Sequence, residues 1–248
     1  MRDDLGAEVP LRGPATRVVS LVPSLTEALA ATAPAALVGA TDWCTHPADL
    51  SVARVRGTKN PDLAAIRALA PDLVVANQEE NRELDVRRLR DAGVAVWVTR
   101  IETVAESLTS MSRLLSTALG LADPPWLASA RSLWSTPVEP RLRVAVPIWR
   151  DPWMVVGPTT YTDDLLRTAG LTNVFAGSAD GRYPSVDLAS IDGAGADVVL
   201  LPDEPYAFTA EDGPESFTTP TRLVSGRLLT WYGPAMVEAH GLLTTLQP

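Results

Sequence analysis

Part of this chain occurs twice. Asp62-Leu63-Ala64-Ala65-Ile66, Asp72-Leu73-Val74-Val75 and Glu79 recur 125 positions later as Asp187-Leu188-Ala189-Ser190-Ile191, Asp197-Val198-Val199-Leu200 and Glu204. A weaker echo sets Thr26-Glu27-x-Leu29-x-x-Thr32 against Thr162-Asp163-x-Leu165-x-x-Thr168. Such a period lies far beyond the roughly 20–50 residues of a solenoid repeat. It implies two similar α/β lobes, and two lobes leave a cleft of the kind that small ligands favour.

The pattern along the chain agrees. Arg17–Val22 is β-branched and bounded by Pro23, so it reads as a strand. Ser24 and Glu27 have capping-box spacing and predict a helix to about Thr32, with a short strand at Leu37–Ala40. Asn60 and Pro61 predict the start of a helix running to Leu69. Strands at 72–76 and 94–98 flank a helix over 79–92 that Gly93 terminates. Val104, Leu108, Met111 and Leu115 fall at helical spacing and predict one long helix over 102–118, with another from Trp126 to Trp134. The second half reads as a strand at 142–148, helices at 162–169 and 187–191, strands at 197–201 and 222–224, and a closing helix over 234–246. Residues 1–16 read as a loose arm and 207–220 as a loop. Strand–helix alternation predicts parallel sheets. The expected organisation is an N-terminal lobe over 17–100, a stiff helical linker over 101–136 and a C-terminal lobe over 137–248.

Lobe, long helix and lobe together resemble the helical-backbone (class III) solute-binding proteins of ABC importers. The resemblance is carried by Arg17 to Glu27, Leu37-Val38-Gly39, Pro61-Asp62-Leu63, Ala70 to Val74, Ala92 to Val96, Asp164-Leu165-Leu166 and Gly170-Leu171-x-Asn173-Val174. It implies two Rossmann-like lobes with a ligand cleft between them and no catalytic residues. Members capture cobalamin, heme, ferric siderophores or metal ions, and the periplasmic cobalamin-binding proteins look closest. By position, Trp43, Tyr183 and Trp231 are the counterparts of the aromatic residues that face a corrin ring there. No cofactor is implied beyond the cobalamin or ferric chelate itself, and an ABC-transporter permease is the implied partner of an exported member.

Composition narrows the partners. A net charge of −9 argues against nucleic acid and anionic membrane surfaces as partners. No run approaches the roughly 18 apolar residues that span a bilayer, so membrane insertion is not expected. Cys44 is the one cysteine, which rules out an internal disulfide. Met1 to Gly6 holds no apolar run, so with Met1 as the native start the protein is expected in the cytoplasm, and outside it if a leader was trimmed.

Four loop clusters could carry chemistry. Trp43 offers a wall for a flat ligand, while Cys44-x-His46 supplies two metal-type ligands where a soft metal needs more. Arg56 and Lys59 precede a helix start, where an anion could bind. Lys59 stands out as the single lysine against twenty arginines. Glu79, Glu80 and Arg82 follow a strand, and the repeat partners Asp203 and Glu204 follow its equivalent. Two acidic corners suit a cation or pair with Arg56, Arg82, Arg150 or Arg182. Trp149, Arg150, Trp153, Arg182, Tyr183, Tyr206, Trp231 and Tyr232 form an aromatic and basic group in the second lobe. His240 reads as a surface residue, and no Ser–His–Asp set or phosphate loop is present.

The leading expectation is non-catalytic binding of a cobalamin-like or ferric-chelate ligand between two lobes. So many charges around an apolar corrin would be costly unless paired, so a charged chelate also fits. Two alternatives stay open: a cytosolic sensor, scavenger or chaperone for a metal ion or chelate, and a small-molecule enzyme using Cys44, His46 or a Glu as acid or base.

Overall fold

The repeated aspartates do the same two jobs in both copies. In a computed structural model describing residues 1–247, Asp62 accepts from the N–H of Ala64 (3.1 Å) and Ala65 (3.0 Å), capping a short helix. Asp187 likewise accepts from the N–H of Ser190 at 2.7 Å. The second aspartate of each copy clasps a neighbouring strand. The Asp72 N–H donates to the Arg17 carbonyl at 2.8 Å, and its Oδ2 accepts from the Arg17 N–H and both Thr16 donors at 2.9 Å. The Asp197 N–H donates to the Arg143 carbonyl at 2.8 Å, and its Oδ2 accepts from the Arg143 N–H at 2.7 Å. The sequence identity therefore marks one clasp made twice.

The chain forms two units. The first comprises Met1–Ile101, Ala105–Ala130 and Tyr232–Pro234, and the second Glu102–Val104, Arg131–Trp231 and the residues from Ala235 onward. The segment expected as a linker is shared between them.

In the first unit the elements are β1 (Val18–Ser20), α1 (Pro23–Thr32), β2 (Leu37–Ala40), β3 (Ala53–Arg54), β4 (Arg56–Gly57), β5 (Asn60–Pro61), α2 (Leu63–Ala68), β6 (Leu73–Asn77), α3 (Glu83–Asp91) and β7 (Val96–Thr99). A parallel sheet runs β3-β2-β1-β6-β7. Every residue of β6 is buried, as a strand covered on both faces requires. Val19, Leu21, Val74, Ala76, Val96 and Val98 form the core with Ile66, Val86 and Leu89 from the helices. Helix α3 ends as Gly93 predicts. Gly93 has φ +80° and its N–H donates to Arg90, while the Val94 N–H reaches back to Leu89 at 3.0 Å. Helix α4 (Val104–Arg113) passes into a π-helical turn at Leu114–Ala118, and α5 (Pro125–Leu133) follows.

The second unit contains β8 (Leu142–Ala145), β9 (Pro147–Trp149), β10 (Met154–Val155), α6 (Tyr161–Thr168), β11 (Leu171–Asn173), α7 (Leu188–Asp192), β12 (Val198–Pro202), β13 (Thr221–Val224), α8 (Gly226–Thr230) and α9 (Ala235–Thr245). Its parallel sheet runs β11-β8-β12-β13. Matching the clasps aligns β8 with β1 and β12 with β6, and the two sheet orders then coincide except for the extra edge strand β3. The fold is the expected one: two α/β units with parallel sheets.

Six expectations are corrected. Ser24 is not an N-cap: α1 starts two residues earlier than that cap implies, at Pro23, with Val22 as a cap lacking side-chain bonds, and Ser24 is buried within the helix. Asn60 and Pro61 lie in the β4–β5 hairpin, and the helix begins beyond them because Asp62 supplies the capping oxygen. The strand expected over 142–148 divides because Pro147 has no N–H for a ladder, and β9 leaves the sheet to pair antiparallel with β10. The helix expected over 102–118 keeps α-helical bonding only to Arg113. The arm is not loose: Asp3, Val9 and Ala15 are all buried. It runs beside β7, where the Asp4 N–H donates to the Val98 carbonyl at 3.2 Å and Asp3 Oδ2 accepts from the Val98 N–H at 3.3 Å. This covers an edge strand that would otherwise present unpaired backbone. His240, expected at the surface, sets its ring edge-on to Trp134 at 5.1 Å.

Candidate functional site

In open parallel sheets the loops beyond strand carboxyl ends are where ligands bind. In the first unit, the loop after β2 carries Trp43, which is 67% exposed. The loop is held from below. The Asp42 N–H donates to the Arg56 carbonyl at 2.9 Å, and the Arg54 guanidinium donates to the carbonyls of Thr41 (2.8 Å) and Cys44 (2.9 Å). Cys44 is fully buried, with its Sγ 3.0 Å from Thr26 Oγ1 and 3.1 Å from Thr41 Oγ1. Burial pushes its thiol up, against the opposing effect of those hydroxyls. Cys44 is thus a small core residue, while His46 is exposed beside Thr45. Among the described residues no group of three or more His, Cys, Asp or Glu gathers as a metal cage.

Gly57 lets the hairpin approach the tryptophan. A Cβ there would stand 3.2 Å from Trp43 Nε1 and 2.4 Å from Asn60 Oδ1. Arg56 projects from the same hairpin, largely exposed, 3.8 Å from Asp62. Lys59, at the hairpin turn, donates through Nζ to the Glu79 carbonyl. The acidic corner itself is built on Asn77. Its Oδ1 accepts from the N–H of Glu79 (2.8 Å) and Glu80 (3.2 Å), while its Nδ2 donates to Thr99 Oγ1 at 3.1 Å. Asn81 closes the corner, accepting from the Asn77 N–H at 2.9 Å and donating to the Thr58 carbonyl at 2.9 Å. Arg82 is exposed at the start of α3. Glu80 meets solvent, yet the protein atoms crowding it push its carboxyl up. Lys59 opposes that shift and Glu79 adds to it. Tyr232 is buried against this corner, and burial raises its phenol, which has Ser24 and Thr99 as hydrogen-bonding neighbours. The structure therefore gathers Trp43, Arg56, Lys59, Glu79, Glu80 and Tyr232 on one ledge of the first unit.

The second unit centres on Arg150. Its guanidinium bonds Asp212, reaches Glu215 at 2.7 Å and lies 5.5 Å above the Trp153 ring. The Glu215 hydrogen bond raises the guanidinium further, and Arg150 in turn lowers the Glu215 carboxyl. Tyr206 donates to Asp212 at 2.6 Å, and Trp149 meets its ring edge-on at 5.7 Å. Trp153 stacks on Phe208 at 5.9 Å and meets Phe217 at 5.3 Å. Arg150, Trp153 and Tyr206 thus form one packed network in which Trp149, 43% exposed, keeps an open face. The segment expected as a loop over 207–220 is anchored by Phe208, which is buried.

Arg182 Nη1 donates to Glu102 at 2.8 Å, and Tyr183 beside it is 36% exposed. Gly157 lies under this segment, where a Cβ would meet the Gly181 carbonyl at 2.5 Å and the Arg182 carbonyl at 3.0 Å. Asp203 caps α8 through the Gly226 N–H at 2.6 Å, and Glu204 packs on Gly226, whose missing Cβ would lie 2.4 Å from Glu204 Cγ. Trp231 is buried at the end of α8. Sequence reasoning missed Asn77, Asn81, Gly57 and Gly157. The signal was available for the first pair, since two amides four apart at the end of a buried strand suit a side-chain-closed turn.

No protein-family model matches the chain. It is 30% identical over 178 residues to the vitamin B12-binding protein of Salmonella typhi, a stretch covering 68% of this chain and 65% of that protein. The chain thus matches less than two thirds of the length of this curated relative. Its structure resembles the periplasmic vitamin B12-binding protein of Vibrio cholerae with a TM-score of 0.74 at 18% identity, covering 94% of this chain and 96% of that one. It resembles a periplasmic heme-binding protein from Pseudomonas aeruginosa with a TM-score of 0.76 at 20% identity, covering 93% and 91%. Among the described residues, no helix is long and apolar enough to cross a membrane.

Proposed function

Taking the chain as a homologue of a vitamin B12-binding protein that carries the fold of periplasmic binding proteins, we propose that it binds a flat metal chelate of the cobalamin or heme type and releases it unchanged. The observation that carries this reading is the Trp43 ledge. A large ring left 67% exposed stands on a loop whose backbone is bonded on both sides of it, as suits an aromatic wall. The loop backbone is ordered before a ligand arrives, which lowers the conformational entropy lost on binding. Lys59, Glu79 and Glu80 at the ledge's edge would meet the polar fringe of such a ring, and Arg56 and Arg82 its anionic groups. In the second unit, Trp149 and Tyr183 offer open aromatic faces, and Arg182 a charged edge.

The relatives are named as binding proteins, which supports a site without catalysis. Their periplasmic naming, with the family resemblance, supports action outside the cytoplasm as the ligand-delivering partner of an ABC-transporter permease. Native mass spectrometry with cyanocobalamin and with heme, added separately, tests the reading. A one-to-one complex with unchanged ligand mass is expected. Trp43→Ala should weaken it by about 1–3 kcal/mol. Absence of a complex with both ligands, or a chemically altered ligand, refutes the proposal.

A further inference from the structure

Two loops of the first unit are laced together by two side-chain hydrogen bonds. Lys59 Nζ donates across to the Glu79 carbonyl, and Asn81 Nδ2 donates back to the Thr58 carbonyl at 2.9 Å. The donors run in opposite directions, so the β4–β5 turn and the acidic corner cannot separate without losing both bonds. In a chain with twenty arginines, this position holds the one lysine. The ammonium is a compact charge with three donors, and here one of them reaches the Glu79 carbonyl.

We propose that Lys59 is the positioning residue of the ledge, holding the acidic corner against the β4–β5 turn and placing its ammonium at the backbone of Glu79, next to Glu80, so that this one amine helps set the charge presented to the ligand. The role of the ledge rests on the binding reading above; the clamp itself does not. Glu80 is crowded enough to be pushed toward its neutral form. The groups that face it are Lys59 from the hairpin turn, Glu79 from the corner and Tyr232 from the 232–234 segment. Of these, Lys59 alone is a cation. Without it, the crowding protein atoms and the Glu79 charge both raise the carboxyl with no cation among these groups to oppose them, and Glu80 takes up its proton at higher pH.

The test is a carboxyl NMR titration of the ligand-free protein, with Glu80→Gln assigning the resonance. In Lys59→Met, and in Lys59→Gln as a polar neutral replacement, the Glu80 midpoint should move upward. In Lys59→Arg it should stay near the wild-type midpoint, because the charge is kept. A Glu80 midpoint that does not move in either neutral variant overturns the inference. Heme affinity followed over the same pH range should show its Glu80-dependent inflection displaced upward in Lys59→Met. If no variant binds heme or cyanocobalamin but Glu80 moves as stated, the binding reading falls and the clamp stands. If ligand binds and Glu80 is indifferent to Lys59, the clamp falls alone.

Discussion

Replacing Asp3 with alanine tests how firmly the amino-terminal segment belongs to the first unit. The Asp3 carboxylate is wholly buried and accepts four hydrogen bonds: from the N–H of Leu5 (3.0 Å), Ala7 (2.9 Å) and Val98 (3.3 Å), and from Arg90 Nη2 at 2.7 Å. The first two are local and can be replaced by water if the segment lifts. The other two cannot be replaced so easily, because Val98 is buried in β7 and the Arg90 side chain is only 31% exposed. Truncating one partner of a buried pair costs about 3–5 kcal/mol. Partial exposure of Arg90 lowers this, and the longer bond to Val98 adds about 1 kcal/mol. We therefore expect a loss of about 3 kcal/mol. Urea unfolding followed by circular dichroism measures it, and hydrogen exchange at the Val98 amide should accelerate in parallel because the edge of β7 is uncovered. A loss below about 0.5 kcal/mol, a typical surface value, with Val98 exchange unchanged, would refute the reasoning.

The remaining expectations are local. Asp192 accepts from the N–H and Oγ1 of Thr218 and the N–H of Thr219, which hold its carboxyl far below the usual range. Its folded pKa is depressed, so its contribution is present above the unfolded carboxylate range and is lost as pH falls through the folded value. Asp192→Asn should accordingly flatten the acid-side loss of second-unit stability, and an acid titration matching wild type would argue against this. Burial of Cys44 predicts a thiol inert to Ellman's reagent until denaturant is added; stoichiometric reaction in the native protein would contradict its placement. Gly157→Ala drives a Cβ into the backbone carrying Arg182 and Tyr183. It should cost about 1–3 kcal/mol in a thermal melt, and an unchanged melting temperature would show that the segment yields freely.

The sequence showed most where one residue type repeats one duty. The paired aspartates at 62 and 187, and at 72 and 197, announced matching halves because a cap and a clasp each need a short acidic side chain at one backbone position. Gly93 was readable for a similar reason, since the turn after α3 requires a positive φ. Ser24 misled because capping spacing is local, whereas α1 was set by Pro23 and by burial of the serine itself. Asn60 and Pro61 misled because the hairpin across from Gly57 outweighed their helix-start character. The arm escaped notice because an isolated Asp-Asp gives no hint that β7 lies waiting for it. At the candidate site, the residue types were legible but the groupings were not. Nothing local distinguishes Trp153, whose ring is covered by Phe208, from Trp149, whose ring keeps an open face. Likewise no spacing rule joins Lys59 to Glu79, because their contact depends on how β5 and β6 are brought together.

The solitary lysine has a practical consequence at the bench. Immobilising this protein through succinimide esters or aldehydes can engage only the α-amine and Lys59, so every molecule coupled through the side chain loses the Lys59 bond to the Glu79 carbonyl. On the binding proposed above, a sensor surface made that way would report weak capture even from a fully active preparation. Attachment through a carboxy-terminal tag leaves the amine intact.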